Sequence, residues 1–248
     1  MDIKKSWLSK APIAHRGLHT DQIPENSLAS FSNAILHGYA IEIDVRMTDD
    51  KVAVVFHDET LKRMTNCDGY LSSLKSSELG NYNLLKTDEK IPTLEETLKL
   101  VDGQVPLLIE LKTFTNVGAL EQAVIDVLKG YKGDFAVQSF NPYSVAYFKN
   151  KAPGFLRGLI AMNFTKEEQP NFFKRVMLSK MKLNHIAKPD FITFRGSDLP
   201  NKYAAKSGLP VIAFTIKSNG ELEKVIPHCN NIVFEKFVPQ ITKEMGQS

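Results

Sequence analysis

Three carboxylic acids stand on two short apolar segments of the chain. Glu42 and Asp44 alternate with β-branched residues, and Glu110 follows the apolar residues 107–109. Successive side chains of a strand point to opposite faces. Glu42 and Asp44 therefore share one face of their strand, and Glu110 and Lys112 share one face of theirs. Clustered carboxylates are costly to bury without a cation, and oxygen ligands without thiolates suit Mg²⁺ or Ca²⁺. The sequence therefore favours a hard-cation site where these carboxylates converge, with a purely structural Glu110–Lys112 ion pair as the alternative.

Two histidines stand close to charged residues. His15 precedes Arg16-Gly17, and His57 precedes Asp58. Both imidazoles titrate near neutral pH, so they could serve as base and acid, each typically contributing about 10² to 10⁴ in rate. Arg16 and Lys112 would add positive charge near the carboxylates, and the planar fork of arginine suits an anionic phosphoryl group.

Eight short apolar segments alternate with helical patterns, which is typical of parallel βα units. With 248 residues, close to the roughly 250 that the fold usually needs, this alternation predicts a (β/α)₈ TIM barrel in a single domain over 1–248. The predicted strands cover residues 13–15, 40–45, 107–111, 135–139, 158–162, 191–194, 211–216 and 231–234. The predicted helices cover residues 27–37, 94–101, 119–129, 143–150, 171–179, 202–207 and 221–226, and Thr93 and Glu96 form the capping box of the second.

The residues 52–57 interrupt this alternation. The connection to the second strand, with Thr48-Asp49-Asp50-Lys51 at its turn, is far shorter than a parallel crossover needs, so they are predicted to return as a β-hairpin. This hairpin brings His57 opposite Glu42 or, one residue slipped, opposite Ile43. The polar and leucine-containing stretch of about 58–91 is predicted to be a small insertion.

The composition excludes several classes of protein. Hydrophobic residues make up 43% of the chain and charged residues 24%, as in ordinary globular domains. The net charge of +3 is too small and too evenly spread for a nucleic-acid-binding protein. The sequence contains neither a transmembrane segment nor a secretory signal, and this predicts a cytoplasmic protein in which Cys67 and Cys229 are packing residues.

Taken together and in order, these motifs resemble the glycerophosphodiester phosphodiesterase family, in its bacterial, cytoplasmic type. The resemblance extends from Ile13 to about Pro239. The segments that carry it are His15-Arg16-Gly17, Pro24-Glu25-Asn26-Ser27, Glu42-Ile43-Asp44-Val45, His57-Asp58 and Ile109-Glu110-Leu111-Lys112.

The resemblance implies a metal-dependent barrel of lipid and glycerol metabolism that splits a glycerophosphodiester into an alcohol and sn-glycerol 3-phosphate. It implies one divalent cation, Mg²⁺ or Ca²⁺, on Glu42, Asp44 and Glu110. His15 and His57 match the acid–base pair of the family. The substrate-binding residues that it implies are Arg16 and Lys112 on the phosphate, together with Asn26 and Phe214.

Some features leave alternatives open. Phe214 stands in Phe214-Thr215-Ile216-Lys217, where many relatives have Trp-Thr-Val-Asn, and Glu235 also departs from the family pattern. These differences favour, as a second hypothesis, a phosphodiesterase acting on lysophospholipids; a third is a barrel that binds phosphodiesters without turnover. Asn26 is either the N-cap of the first helix or a substrate-site residue. The sequence leaves the alcohol, the metal, a cyclic phosphate intermediate and the oligomeric state open.

Overall fold

A computed structural model of the chain describes residues 6–113, 115–169 and 171–240. Within these residues, the eight predicted strands are present and one further strand follows the second of them. The strands are β1 (Ile13–Ala14), β2 (Ala40–Met47), β3 (Ala53–Val55), β4 (Leu107–Leu111), β5 (Phe135–Ser139), β6 (Leu156–Ala161), β7 (Phe191–Arg195), β8 (Val211–Ile216) and β9 (Asn231–Phe234).

The seven predicted helices are all present, with ends within two residues of the expected ones. Two helices of four residues, α2 and α7, were not predicted, because a single turn has too little periodicity to be recognised. The helices are α1 (Leu28–Leu36), α2 (Lys62–Thr65), α3 (Leu94–Val101), α4 (Ala119–Leu128), α5 (Pro142–Lys151), α6 (Phe172–Ser179), α7 (Asn184–Ala187), α8 (Lys202–Ser207) and α9 (Asn219–Val225). The capping box of Thr93 and Glu96 at the start of α3 is confirmed.

The strands form one sheet in the order β1-β9-β8-β7-β6-β5-β4-β2-β3, and pairing of β1 with β2 closes it. The result is a closed barrel of eight parallel strands with β3 outside the ring, which confirms the predicted fold class. In the parallel pair of β2 and β4, Asp44 lies opposite Glu110. This register places the two carboxylates side by side.

The predicted hairpin is confirmed. β3 runs antiparallel to β2, with Val45 opposite Val55 and Met47 opposite Ala53. Continued beyond the end of β3, this register would place His57 opposite Ile43, the second of the two expected positions.

The stretch of 58–91 interrupts the alternation of strands and helices as predicted. It contains α2 and the 3₁₀ helices Leu71–Ser73 and Ser76–Asn81. Its apolar side chains, including Leu61, form a hydrophobic cluster with Val54 of β3 and with Phe56. The insertion is therefore anchored by packing, since burial of apolar surface stabilises each of these contacts.

The chain divides into two compact units, one formed by Ala14–Ala136 and the other by the remaining described residues. The core of the first includes Ala40, Ile41, Ile43 and Val45 of β2 and the apolar residues of β4, all of which are buried. In the second, a cluster including Val145, Ile192 and Phe194 packs between α5, β7 and neighbouring elements. The expectation of a single domain over 1–248 stays a prediction. None of the helices in the described part of the chain combines the length and the apolar character that crossing a membrane requires.

Candidate active site

Glu42, Asp44 and Glu110 form a buried cluster of carboxylates in the Ala14–Ala136 unit. One oxygen of each lies within 4.8 Å of the others, and the residues are 2%, 1% and 8% exposed. Strand alternation puts Glu42 and Asp44 on the same face of β2, and the register of β2 with β4 adds Glu110. The predicted convergence of the three residues is confirmed.

Two cations compensate part of this negative charge. The Lys112 ammonium lies 2.8 Å from Asp44 Oδ1 and also contacts Glu110. Arg16 Nε lies 3.1 Å from Asp44 Oδ2, and its backbone N–H donates to Glu42 Oε2 at 2.9 Å. Arg16 has a φ of 55°, a left-handed conformation that is rare outside glycine and frequent at functional sites.

Asn26 also holds Asp44. Its amide Nδ2 donates to Asp44 Oδ2 at 2.9 Å, and its Oδ1 accepts from the Asp44 backbone N–H at 3.3 Å. The N-cap of α1 is instead Ser27, which accepts from Ser30 N–H. Of the two alternatives for Asn26, the N-cap of this helix is therefore wrong, because Ser27 takes the orphan donor and leaves the Asn26 amide to Asp44.

The three carboxylates differ in protonation behaviour. Burial and the neighbouring carboxylates raise the pKa of Glu42 well above its usual value, and burial also raises the pKa of Glu110. Burial would raise the pKa of Asp44 too, but Lys112 and Arg16 outweigh it and hold that pKa below its usual range. Two cations therefore stabilise one carboxylate fully and leave the cluster short of positive charge.

This shortage fits a divalent cation. The donors are carboxylate oxygens without thiolates, which is the ligand set that Mg²⁺ and Ca²⁺ prefer. Three carboxylates face two protein cations, and burial together with the neighbouring carboxylates raises the pKa values of Glu42 and Glu110. The described residues Glu42, Asp44 and Glu110 could therefore hold a metal ion.

Each of the two histidines lies beside a carboxylate. His15 Nε2 is 4.0 Å from Glu42 Oε2. His57 Nδ1 is 2.6 Å from Asp58 Oδ1, and the His57 backbone carbonyl accepts from Arg46 Nε. Burial lowers the pKa of His57, an effect that the charge of Asp44 opposes.

A network of ion pairs connects His57 with Arg16. Asp58 pairs with Arg63 Nε at 2.6 Å, and Arg63 donates to both oxygens of Glu25 at 2.9 and 2.7 Å. Glu25 in turn accepts from Arg16 Nη1 at 2.7 Å. Burial alone would raise the pKa of Asp58, but the bonds from Arg63 and His57 lower it to about 2, so Asp58 is ionised at neutral pH.

Glu25, Asp58 and Arg63 are residues of this network to which the sequence patterns assigned no role. Asp58 had a signal, because it directly follows His57. Nothing local indicated the pair of Glu25 and Arg63, since 38 residues separate them and only the folded insertion brings them together. Phe214 lies on β8 in the other unit, where its ring packs edge to face against Phe140 with centroids 6.1 Å apart.

Gly17 fixes the turn that carries His15 and Arg16. Its φ is +79°, and a Cβ there would lie 2.3 Å from Ser30 Oγ and 2.9 Å from the Ser30 backbone. We expect Gly17→Ala to destabilise the fold by about 1–3 kcal/mol through overpacking, in addition to the backbone strain of about 1–2 kcal/mol. Thermal unfolding measures the loss.

Gly38→Ala is the matched control for this prediction. Gly38 has a similar φ of +69° but no atom within 4 Å of its Cβ position, so its replacement introduces the strain without the clash. Equal losses in the two variants would contradict the steric explanation.

Comparison with known proteins gives a family match and several relatives. Residues 15–231 match the Glycerophosphoryl diester phosphodiesterase family. A glycerophosphodiester phosphodiesterase of Caldanaerobacter subterraneus is 34% identical over 160 residues, which cover 60% of this chain and 65% of the relative. A lysophospholipase D of Rattus norvegicus is 35% identical over 143 residues, covering 52% of this chain and 44% of the relative.

A solved structure extends the similarity to the fold. An Oleispira antarctica phosphodiesterase, in complex with its product sn-glycerol-3-phosphate, superposes with a TM-score of 0.77 and 26% sequence identity. The match covers 93% of this chain and 95% of that one. The match of residues 15–231 spans most of the chain, and the chain therefore belongs to the glycerophosphoryl diester phosphodiesterase family.

Proposed function

We propose that this protein hydrolyses glycerophosphodiesters to an alcohol and sn-glycerol 3-phosphate with the help of one divalent cation, Mg²⁺ or Ca²⁺. The observation that carries the proposal is the buried cluster of Glu42, Asp44 and Glu110 in direct contact with Arg16 and Lys112. The Oleispira relative, whose structure contains the product sn-glycerol-3-phosphate, supports this choice of substrate class.

Each part of the cluster has a role in the proposal. Glu42, Asp44 and Glu110 would hold the cation, which supplies positive charge against the phosphoryl oxygens. Arg16 and Lys112 bind the phosphate, because their buried N–H donors already lie beside the carboxylates and suit phosphoryl oxygens. Asn26 orients Asp44 through its two hydrogen bonds and so supports the ligand set.

His57 and His15 are proposed as base and acid. The contact of His57 Nδ1 with the ionised Asp58 favours the tautomer with its proton on Nδ1, so Nε2 is the basic atom of the neutral ring. His57 takes the proton of the attacking hydroxyl while the oxygen of that hydroxyl bonds to phosphorus. The bond from phosphorus to the leaving oxygen breaks, and His15 gives the leaving oxygen a proton. The attacking hydroxyl belongs either to water or to the neighbouring glycerol carbon, and the second choice produces a cyclic phosphate that water then opens.

The test is release of sn-glycerol 3-phosphate from glycerophosphocholine and glycerophosphoethanolamine, with chelator and with added Mg²⁺ or Ca²⁺. We expect turnover only with a divalent cation and its loss in His15→Ala. Cleavage of lysophospholipid alone would instead select a lysophospholipase D, the activity named for the rat relative and the second hypothesis suggested by Phe214. Binding of phosphodiesters without turnover of either substrate would select a non-catalytic barrel.

We expect the cation also to stabilise the fold. A ligand that binds only the native state adds about 2.7 kcal/mol at a concentration 100 times its Kd. Thermal unfolding with Mg²⁺ or Ca²⁺ should therefore occur at a higher temperature than with chelator, by about 2–4 °C for each kcal/mol. An unfolding temperature that does not respond to either ion would contradict the proposed site. Cytoplasmic location and a role in lipid and glycerol metabolism stay predictions.

A further inference from the structure

Helix α6 presents an apolar face to solvent. No residue of α6 is buried, although five of its eight residues are apolar. Phe173 is 78% exposed, Phe172 59% and Met177 38%. Helices of this length are stable mainly when an apolar face packs against something, so this exposure needs an explanation. Phe172, Phe173 and Met177 are called the α6 apolar face below.

The residues 171–189 around this face contain basic residues and no aspartate or glutamate. Lys174 lies within the helix, Lys180 caps its C-terminal end and Lys182 follows, and all three side chains are exposed. The Arg175 guanidinium lies 5.6 Å from the centre of the Phe172 ring. The nearest preceding acids are Glu167 and Glu168, and Glu168 is paired with Arg195. Along the sequence, basic residues therefore predominate next to the α6 apolar face, between Glu167 and Glu168 on one side and Asp190 on the other.

We propose that α6 and its basic flank are a docking surface for the anionic surface of a lipid membrane. Aromatic side chains can enter the boundary between headgroups and acyl chains, while flanking lysines reach anionic headgroups. A second copy of the chain would bring like charges together on the two sides of such an interface, and this disfavours self-association. The surface lies outside the residues assigned to catalysis, and the proposal stands independently of the proposed activity.

The test is co-sedimentation of the full chain with lipid vesicles. One set contains phosphatidylcholine alone, and the other contains about 30% phosphatidylglycerol, whose negative surface potential attracts basic segments. We expect binding to the anionic vesicles only, and weaker binding at about 1 M salt, where the screening length is about 3 Å. Equal binding to both vesicle types, or binding to neither, would overturn the proposal.

Two variants separate the contributions of the face and its flank. Phe172→Ser with Phe173→Ser removes the aromatic rings, and Lys174→Glu with Lys180→Glu reverses two charges. Each basic residue near an anionic surface typically accounts for about a fivefold change in binding, so we expect each double variant to bind at least about tenfold more weakly.

Matched controls lie elsewhere on the surface. Leu36→Ser removes an 81% exposed apolar side chain, and Lys99→Glu with Lys224→Glu makes the same change in net charge as the flank variant. We expect both controls to bind vesicles like the wild type. Equal losses in the controls would reject α6 as the surface, and a dimer that dissociates in the Phe172→Ser, Phe173→Ser variant would assign the face to self-association. Circular dichroism and unchanged thermal unfolding verify that the variants are folded.

Discussion

Glu42→Gln and Asp44→Asn are expected to abolish metal-dependent turnover equally while changing the stability of the metal-free protein in different directions. Both substitutions remove a proposed ligand of the cation. The carboxylates differ, however, in what compensates them: Lys112 and Arg16 lie within 3.1 Å of Asp44, whereas a backbone N–H is the hydrogen-bond donor to Glu42.

In Asp44→Asn, two buried cations lose their shared anion. Removing one partner of a buried ion pair typically costs about 3–5 kcal/mol, so this variant should unfold at a clearly lower temperature. In Glu42→Gln, a neutral amide replaces a carboxyl group whose pKa is raised mainly by burial and by the Asp44 charge. A raised carboxyl pKa means that the ionised form is unfavourable in the fold. Protonated Glu42 therefore stabilises the native state relative to the unfolded state, and this contribution is lost as the pH rises through the folded pKa. Glutamine does not ionise, so it avoids this loss.

The measurement is thermal unfolding in chelator at pH 8, followed by the same experiment with Mg²⁺ or Ca²⁺. We expect the metal-free Glu42→Gln variant to be at least as stable as the wild type, and Asp44→Asn to be less stable. Neither variant should show the full metal-induced shift. Glu96→Gln, at the exposed capping box of α3, is a control for loss of a carboxylate away from the cluster. Destabilisation of Glu42→Gln by several kcal/mol would contradict the charge balance deduced for the cluster.

Local sequence patterns were sufficient to predict the barrel and its carboxylate cluster. The alternation of Glu42 and Asp44 with buried residues requires both carboxylates on one face of β2, whatever the rest of the fold. Glu110 joins them because adjacent parallel strands place neighbouring positions side by side. These features depend on period and strand order, and both can be read from a single sequence.

Long-range side-chain pairing could not be predicted in the same way. Asn26 has the sequence position of an N-cap. Which of Asn26 and Ser27 caps α1 depends on whether the Asn26 amide can reach Asp44. Glu25 and Arg63 meet only because the insertion folds back over the strands. The exposure of Phe172 and Phe173 could not be predicted either, since apolar residues at helical spacing predict a helix packed on the barrel.

His57→Ala is the variant with the largest effect expected at the proposed base. Loss of a general base typically costs about 10² to 10⁴ in rate, and we expect a decrease of this size in kcat/KM for glycerophosphodiesters. The fold should tolerate the change, because the His57 backbone carbonyl still accepts from Arg46. The variant should still bind the cation, as measured by the metal-induced shift in unfolding temperature. Loss of that shift would place His57 among the metal ligands.

Asp58→Asn tests whether Asp58 positions and charges His57 or whether His57 acts as a base without it. Burial lowers the pKa of His57, and the hydrogen bond to Asp58 opposes that shift. Without the Asp58 charge the pKa of His57 should fall further, so the limb of the pH–rate profile that reports His57 should move to lower pH. We also expect a loss of about tenfold in rate, as for other carboxylates that orient a histidine ring.

Arg63→Gln provides the comparison for this last experiment. It removes the guanidinium that contacts both Asp58 and Glu25 but keeps the charge of Asp58 beside His57. Loss of a cation favours protonation of its neighbours, so the limb assigned to His57 should stay in place or move to higher pH, opposite to its movement in Asp58→Asn. Displacement of the limb in the same direction in both variants would mean that geometry, and not the Asp58 charge, sets the pKa of His57. Opposite displacements, with activity retained in part by both variants, would establish Asp58 as the residue that positions and charges the base.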